Sequence, residues 1–226
     1  MLDAGCGPAS FLRELAETDL RLAGFDVTPE MVAEGRRVLG ERAEIWEGSV
    51  LDPAAFTRGA PYDAAVCVGV LPHVPPEADA VVVANLRDSV RQGGLVVAEA
   101  RNQLFALFTL NRYTYEFFRD ELLRTDDEEL LAPLRERFRM DLPPVRRGRE
   151  DEPGYDEVLS RTHNPFELRA RFEAAGLTDV RTLFYHYHAL PPLLEPSVEA
   201  SVAIEDPFDW RGHFMASAIL VTGKRA

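Results

Sequence analysis

The sequence predicts an α/β protein, a mostly parallel sheet flanked by helices with one helical insertion, and three observations lead there. Short apolar runs alternate with amphipathic stretches up to about residue 100, the pattern of parallel strands joined by helices. The chain opens on a strand end followed at once by a glycine turn, "MLDAGCGPAS". After Ala100 the rhythm breaks, and the next strand-like segment, "DVRTLFYHYHAL", does not arrive until 179–190.

The first strand is short, Met1 to Ala4, and "SFLREL" after the turn reads as a helix. Strands follow at 21–27 ("RLAGFDV"), 43–48 ("AEIWEG"), 62–70 ("YDAAVCVGV") and 94–100 ("GLVVAEA"). Thr28 can cap a helix with Pro29 at its first position and Gly40 at its end. The next helix covers roughly 77–91, with Val82, Leu86 and Val90 on one face and Gly93 or Gly94 as its stop.

The stretch 101–163 reads as a helical, aromatic insertion. In "TDDEELLAPLRERF" Thr125 and Glu128 have capping-box spacing, and the Pro-rich, charged run 141–157 reads as an exposed loop or hinge. A helix starts at Asn164, with Pro165 first and Glu167 third, and stops at Gly176. The segment 214–225 is a last strand, expected antiparallel to 179–190.

Composition narrows the function classes. With 226 residues, 46% apolar and 28% charged, the chain can bury a core without disulfides or metal staples. A formal net charge of −13 argues against nucleic acid as substrate, because a phosphate-tracking surface is built from Lys and Arg. Cys6 and Cys67 lack zinc or disulfide spacing and read as buried thiols in a reducing compartment. No apolar run nears the roughly 20 residues that span a bilayer, and the start lacks a signal-like stretch. A cytoplasmic protein with no membrane partner is the expectation.

The opening turn is the motif that carries chemistry. A strand, a glycine turn and a helix start place backbone N–H groups and a positive helix end where an anionic or polar ligand can sit. Asp26, 19 residues after Gly7 and at the end of the second strand, can accept both hydroxyls of a ribose. The ligand is therefore expected to contain a nucleoside.

These residues resemble a class I S-adenosylmethionine-dependent methyltransferase of the small-molecule type. "LDAGCGPA" is similar to that family's Asp-x-Gly-x-Gly-x-Gly turn with Ala9 in the last place. "GFDVTPEMVAEGRR", "YDAAVCVGVLPHVPP" and "LRDSVRQGGLVVAEA" match its second strand and following helix, its fourth strand, and the helix and fifth strand. The resemblance covers about 1–100 and 164–226, implying a Rossmann-like cofactor domain there, with its first strand truncated, and an acceptor-binding cap at 101–163. It implies that Asp3, Gly5 and Gly7 lie along the methionine moiety, that Asp26 holds the ribose, and that Ser49 and Val50 stand near the adenine. Val68 and Gly69 would flank the cofactor's amino-acid end. Many members carry an acidic residue where Ser49 stands, which leaves Asp52 as a fallback.

Relatives begin with a longer first strand and a covering helix, so a segment upstream of Met1 is expected. The insertion 101–163 or a partner, such as a second copy in a homodimer, would be the other cover.

A general base is needed where the acceptor must lose a proton. His186 and His188 alternate on one strand at the edge where open α/β sheets bind ligands, and His73 follows the fourth strand at that edge. Each histidine can instead be a hydrogen-bonded packing residue, and the pair lacks the carboxylates of a metal site, so no metal is expected. Arg101 and Asn102, with Glu99, end the fifth strand where an acceptor's polar groups can be met, and Arg101 suits a carboxylate or phosphate. Tyr113, Tyr115 and His163 complete the acceptor candidates, with core packing as the alternative for the aromatics.

The expected activity is methyl transfer from S-adenosylmethionine to a small-molecule acceptor, at oxygen. The fourth strand is followed by "GVLPHVPP", not by the Asn-Pro-Pro-Tyr type of sequence that serves nucleic-acid methylation. A nicotinamide-dependent oxidoreductase and a non-catalytic cofactor-binding subunit are the rival readings.

Overall fold

The structure, a computed structural model, describes residues 1–142, 160–189, 191 and 206–226. Most of the expected loop 141–157 lies outside the described residues. The strands are β1 (Leu2–Ala4), β2 (Leu22–Asp26), β3 (Ala43–Glu47), β4 (Tyr62–Cys67), β5 (Val90–Arg101), β6 (Leu177–Tyr187) and β7 (Ala216–Arg225). Among the described residues they form one seven-stranded sheet in the order β3-β2-β1-β4-β5-β7-β6. The pairs β3·β2, β2·β1, β1·β4 and β4·β5 are parallel.

β7 runs against its neighbours. Near one end His188 N–H donates to Met215 O, and near the other Thr178 Oγ1 donates to Lys224 O, so β6 and β7 are antiparallel. The expected mostly parallel sheet with an antiparallel last strand is the one found. β1 is buried along its whole length, Asp3 included, and β2 up to Asp26, as strands covered on both faces are.

Helices α1 (Ser10–Glu14), α2 (Pro29–Leu39) and α3 (Asp79–Ser89) lie between the parallel strands. In α2 the expected Pro29 start and Gly40 end are present, Gly40 at a left-handed φ of 52°. Thr28 occupies the cap without a side-chain cap bond, and its N–H donates to Asp26 Oδ1 instead. α3 stops at Ser89 rather than running to 91, because Val90 already belongs to β5. Gly93 and Gly94 are not its stop: they form an irregularity inside β5, where a Cβ on Gly94 would stand 2.7 Å from Arg91 O.

Ala9, fully buried at the start of α1, takes a left-handed φ of 61° where the family turn has its last glycine. Its methyl lies 3.2 Å from where a Cβ on Gly35 of α2 would stand.

After β5 come α4 (Ala106–Thr109), α5 (Arg112–Phe117), a π-helical turn over Phe118–Leu123, and α6 (Glu128–Arg135). The cap of α6 is Asp127, which accepts Glu129 N–H at 2.9 Å, and not the expected Thr125. Thr125 accepts the N–H of Asp127 and so sits two residues too early. α7 (Pro165–Ala174) has the expected Pro165 start, with Gly176 at φ 81° beyond its end. α8 (Gly212–Met215) leads into β7.

The chain divides into two compact units, Met1–Ala100 with Phe166–Thr182 and Leu220–Ala226, and Arg101–Pro165 with Leu183–Ile219. In the first, Phe25 packs edge-on to Phe56 at 4.9 Å and beside Trp46 at 5.8 Å, while Leu12, Val32, Leu39 and Ile45 form a cluster under α1 and α2. The second buries Tyr115, Phe117, Leu131 and Phe184.

Candidate functional site

In the first unit the chain leaves β1 through a turn that is held from β2. Gly5 N–H and Cys6 N–H both donate to Phe25 O, at 2.8 and 2.9 Å. Gly5 and Gly7 take left-handed φ angles of 81° and 52°, which glycine adopts at little cost. Gly7 N–H then donates to Asp26 Oδ2 at 2.8 Å, while Thr28 N–H donates to Oδ1 at 2.9 Å. The Asp26 carboxylate is thereby fixed between the glycine turn and the start of α2, and each oxygen keeps a lone pair for a further donor.

The glycines divide the work. A Cβ on Gly5 would stand 2.3 Å from Val70 Cγ2, so this residue is the seam between the turn and the loop after β4. A Cβ on Gly7 or on Gly69 would meet nothing within 4 Å, so both leave backbone open to an approaching ligand.

Asp3 is buried on β1, 3% exposed, and its carboxyl is raised to about 7, first by burial and then by the charge of Asp26. Near neutrality it is balanced between its two forms, and a cation placed beside it would draw out the charged one. The Cys6 thiol is pushed up to about 12 by burial, with Asp3 and Asp26 adding to it, and burial also raises Cys67. Both are buried thiols, as expected.

At the end of β3, Ser49 Oγ accepts Leu51 N–H at 3.2 Å, and the buried Val50 has its carbonyl held by Asn85 Nδ2 at 3.0 Å. Asp52 caps the short helical turn Pro53–Phe56 by accepting Ala54 N–H. After β4, Val68 is exposed and Gly69 has a φ of 73° with its N–H donated to Glu99 Oε2 at 2.7 Å. His73 is exposed at the end of the turn Leu71–His73.

The fold thus ties Asp3, Gly5, Gly7 and Asp26 into one turn and sets the Val68–Gly69 loop against it through Val70. Glu99, Val70 and Asn85 support these loops. Sequence reasoning missed their roles because each acts on a partner 30 or more residues away, with no local signal.

The remaining candidates fall in the second unit. Arg101 is exposed and its guanidinium bonds the Ser160 hydroxyl. Asn102 is buried: its NH2 points at the carbonyls of Gly212, His213 and Ala216, and its Oδ1 accepts Leu104 N–H. The buried His163 bridges to it through the backbone, His163 N–H to Arg101 O and Gln103 N–H to His163 O. Tyr113 is half-buried, its N–H held by the Asn111 side chain, whereas Tyr115 is buried with the Arg119 guanidinium 5.9 Å from its ring.

The two strand histidines have different surroundings. His186 is exposed at a left-handed φ of 54°, which interrupts the strand's alternation, and its ring meets the Tyr185 ring edge-on. His188 is half-buried, with its ring 4.7 Å from that of Phe105 and Nε2 3.2 Å from Ser217 Oγ. Among the described residues no group of three or more His, Cys, Asp or Glu could hold a metal ion, and no helix is long and apolar enough to cross a membrane.

Residues 1–94 match the model of a family described as "Methyltransferase domain". No curated protein matches the chain. Among solved structures, magnesium protoporphyrin IX methyltransferase (ChlM) from Synechocystis PCC 6803 with bound SAH is similar at a TM-score of 0.53 and 16% identity, over 100% of this chain and 73% of that one. An O-methyltransferase family protein from Burkholderia thailandensis is similar at 0.54 and 16% identity, this chain spanning half of its length. A SAM dependent methyltransferase from Archaeoglobus fulgidus is similar at 0.55 and 13% identity, over 99% of this chain and 84% of that one. The first 94 residues are thus a methyltransferase domain, and the fold is the Rossmann-like methyltransferase fold that the sequence resembles.

Proposed function

We propose that this methyltransferase-domain protein transfers a methyl group from S-adenosylmethionine to a hydroxyl oxygen of a small molecule, of a biosynthetic, natural-product or saccharide type. The observation that carries the reading is the bond from Gly7 N–H to Asp26 Oδ2, which joins an open glycine turn to a carboxylate suited to a ribose. The open backbone at Gly7 and Gly69 fits a ligand laid across both loops of the first unit. Asp26 would hold the ribose hydroxyls, Ser49 and Val50 the adenine, and Asp3, Gly5, Val68 and Gly69 the methionine end. SAH is bound in the Synechocystis structure of the same fold.

When bound, S-adenosylmethionine supplies a methyl group already activated by a sulfonium, so the chain's own task is to align the acceptor, exclude water and take up a proton. Of the histidines, His188 suits the proton best, because Phe105 and Ser217 orient its ring while His186 is exposed. Arg101 would meet an acidic group on the acceptor, and Asn102, Tyr113, Tyr115 and His163 would shape its site.

Calorimetry with S-adenosylhomocysteine and with NAD tests the cofactor, and release of S-adenosylhomocysteine with a panel of hydroxylated small molecules tests the reaction. Binding of NAD alone would make the protein an oxidoreductase. Binding of S-adenosylhomocysteine with no turnover on any acceptor would make it a non-catalytic cofactor-binding subunit.

A further inference from the structure

β4 lies between β1 and β5 in the sheet, and the loop that follows it is held from both sides. Toward β1, Val70 Cγ2 fills the space beside Gly5 in the glycine turn. Toward β5, Gly69 N–H donates to Oε2 of the buried Glu99 at 2.7 Å.

Gly69 N–H and Val68 C=O belong to one planar trans peptide and therefore point in opposite directions. With the N–H turned to Glu99, the Val68 carbonyl oxygen faces away from that carboxylate. It accepts no hydrogen bond among the described residues, and Val68 itself is exposed. At Gly69 sterics leave the peptide free to turn: φ is 73°, a Cβ there would meet nothing within 4 Å, and glycine takes either sign of φ at little cost. Without an acceptor at position 99 the peptide can turn over, and an N–H then stands where the carbonyl did. A carbonyl receives only a donor such as an ammonium, whereas an N–H receives only an acceptor.

We propose that Glu99 is a positioning residue that fixes the Val68–Gly69 peptide with its carbonyl toward the ligand and so makes the loop selective for an ammonium-bearing end. The proposal rests on the reading of the first unit as the S-adenosylmethionine site and deepens it.

The test is calorimetry on the full chain with two probes: S-adenosylhomocysteine, which carries the ammonium, and 5′-methylthioadenosine, which keeps the nucleoside and lacks the amino-acid end. The wild type should bind S-adenosylhomocysteine the more tightly. Glu99→Ala should weaken S-adenosylhomocysteine roughly 10-fold, as for loss of one hydrogen bond to a charged group, and change 5′-methylthioadenosine less than about 2-fold. Glu99→Gln keeps an oxygen within reach of Gly69 N–H and should bind S-adenosylhomocysteine within about 3-fold of the wild type. Glu99→Asp keeps the charge, falls one methylene short and should behave as the alanine variant does. Equal weakening of both probes in a folded Glu99→Ala overturns the proposal, as does unweakened S-adenosylhomocysteine binding. Should that variant not fold, Glu99→Gln and Glu99→Asp decide by the same split. If the wild type binds neither probe, the cofactor reading falls and the proposal with it. If it binds both equally, the cofactor reading stands and the proposal alone falls.

Discussion

Glu99 accepts the backbone N–H of Gly69 at 2.7 Å, so the end of β5 holds the turn after β4. Glu99→Ala removes the acceptor and is expected to cost about 1–2 kcal/mol in urea unfolding, in the range for a hydrogen bond to a charged group with a donor that water can partly resolvate. Glu99→Gln keeps an oxygen in place and should cost less than half as much. Equal losses in the two variants would mean that the charge and not the bond matters.

Gly5 and Gly7 should fail in different ways. Gly5→Ala drives a methyl into Val70 at a left-handed backbone, so stability should fall by about 2–4 kcal/mol and recover in part with Val70→Ala. Gly7→Ala meets only backbone strain, on the order of 1 kcal/mol, yet places a methyl where a ligand would approach. Thermal unfolding and S-adenosylhomocysteine calorimetry on both variants separate the two effects.

Asp26→Ala is expected to weaken S-adenosylhomocysteine binding by about 1.5–3 kcal/mol, because it leaves the ribose hydroxyls unpaired and also frees Gly7 N–H and Thr28 N–H. Unchanged affinity in calorimetry, with the protein folded, would remove Asp26 from the site.

Asp3 gives the fold a pH dependence. Its carboxyl is raised from an ordinary value of 3.8 to about 7, so the folded state binds this proton more tightly than the unfolded chain. The stability it contributes is complete below about pH 4 and is lost as pH rises through about 7. Urea midpoints should fall between about pH 4 and 7 and level off above, and Asp3→Asn should flatten that slope and gain on the order of 2–4 kcal/mol at pH 8.

His188→Gln should lower kcat by roughly 100-fold or more and leave S-adenosylhomocysteine affinity nearly unchanged. The same change at the exposed His186 should do much less. Equal, small effects would make both histidines packing residues and move the search to His73 and His163.

What was legible in the sequence is what is local or spaced by a rule. The glycine turn, Asp26 at a strand end, Pro29 and Pro165 at helix starts and Gly40 at a helix end each announce themselves within a few residues. Val90 was ambiguous because a buried valine serves a helix face and a strand equally, and Gly94 reads as a helix stop until β4 shows it to be a bulge. Contacts made across the chain leave no such mark. Nothing near Glu99 announces Gly69, and nothing near His188 announces Phe105 or Ser217.

The close approach of Ala9 and Ile45 to Gly35 makes one methyl-sized volume the joint property of three positions. Change at these sites is therefore not independent during descent. An alanine at 35 meets Ile45 Cδ1 at 3.0 Å as well as the Ala9 methyl at 3.2 Å, and a glycine at 9 relaxes the left-handed backbone while relieving only the second contact. The alanine that stands in the last place of the turn is thereby coupled to α2 and β3 together, and what position 35 tolerates depends on both.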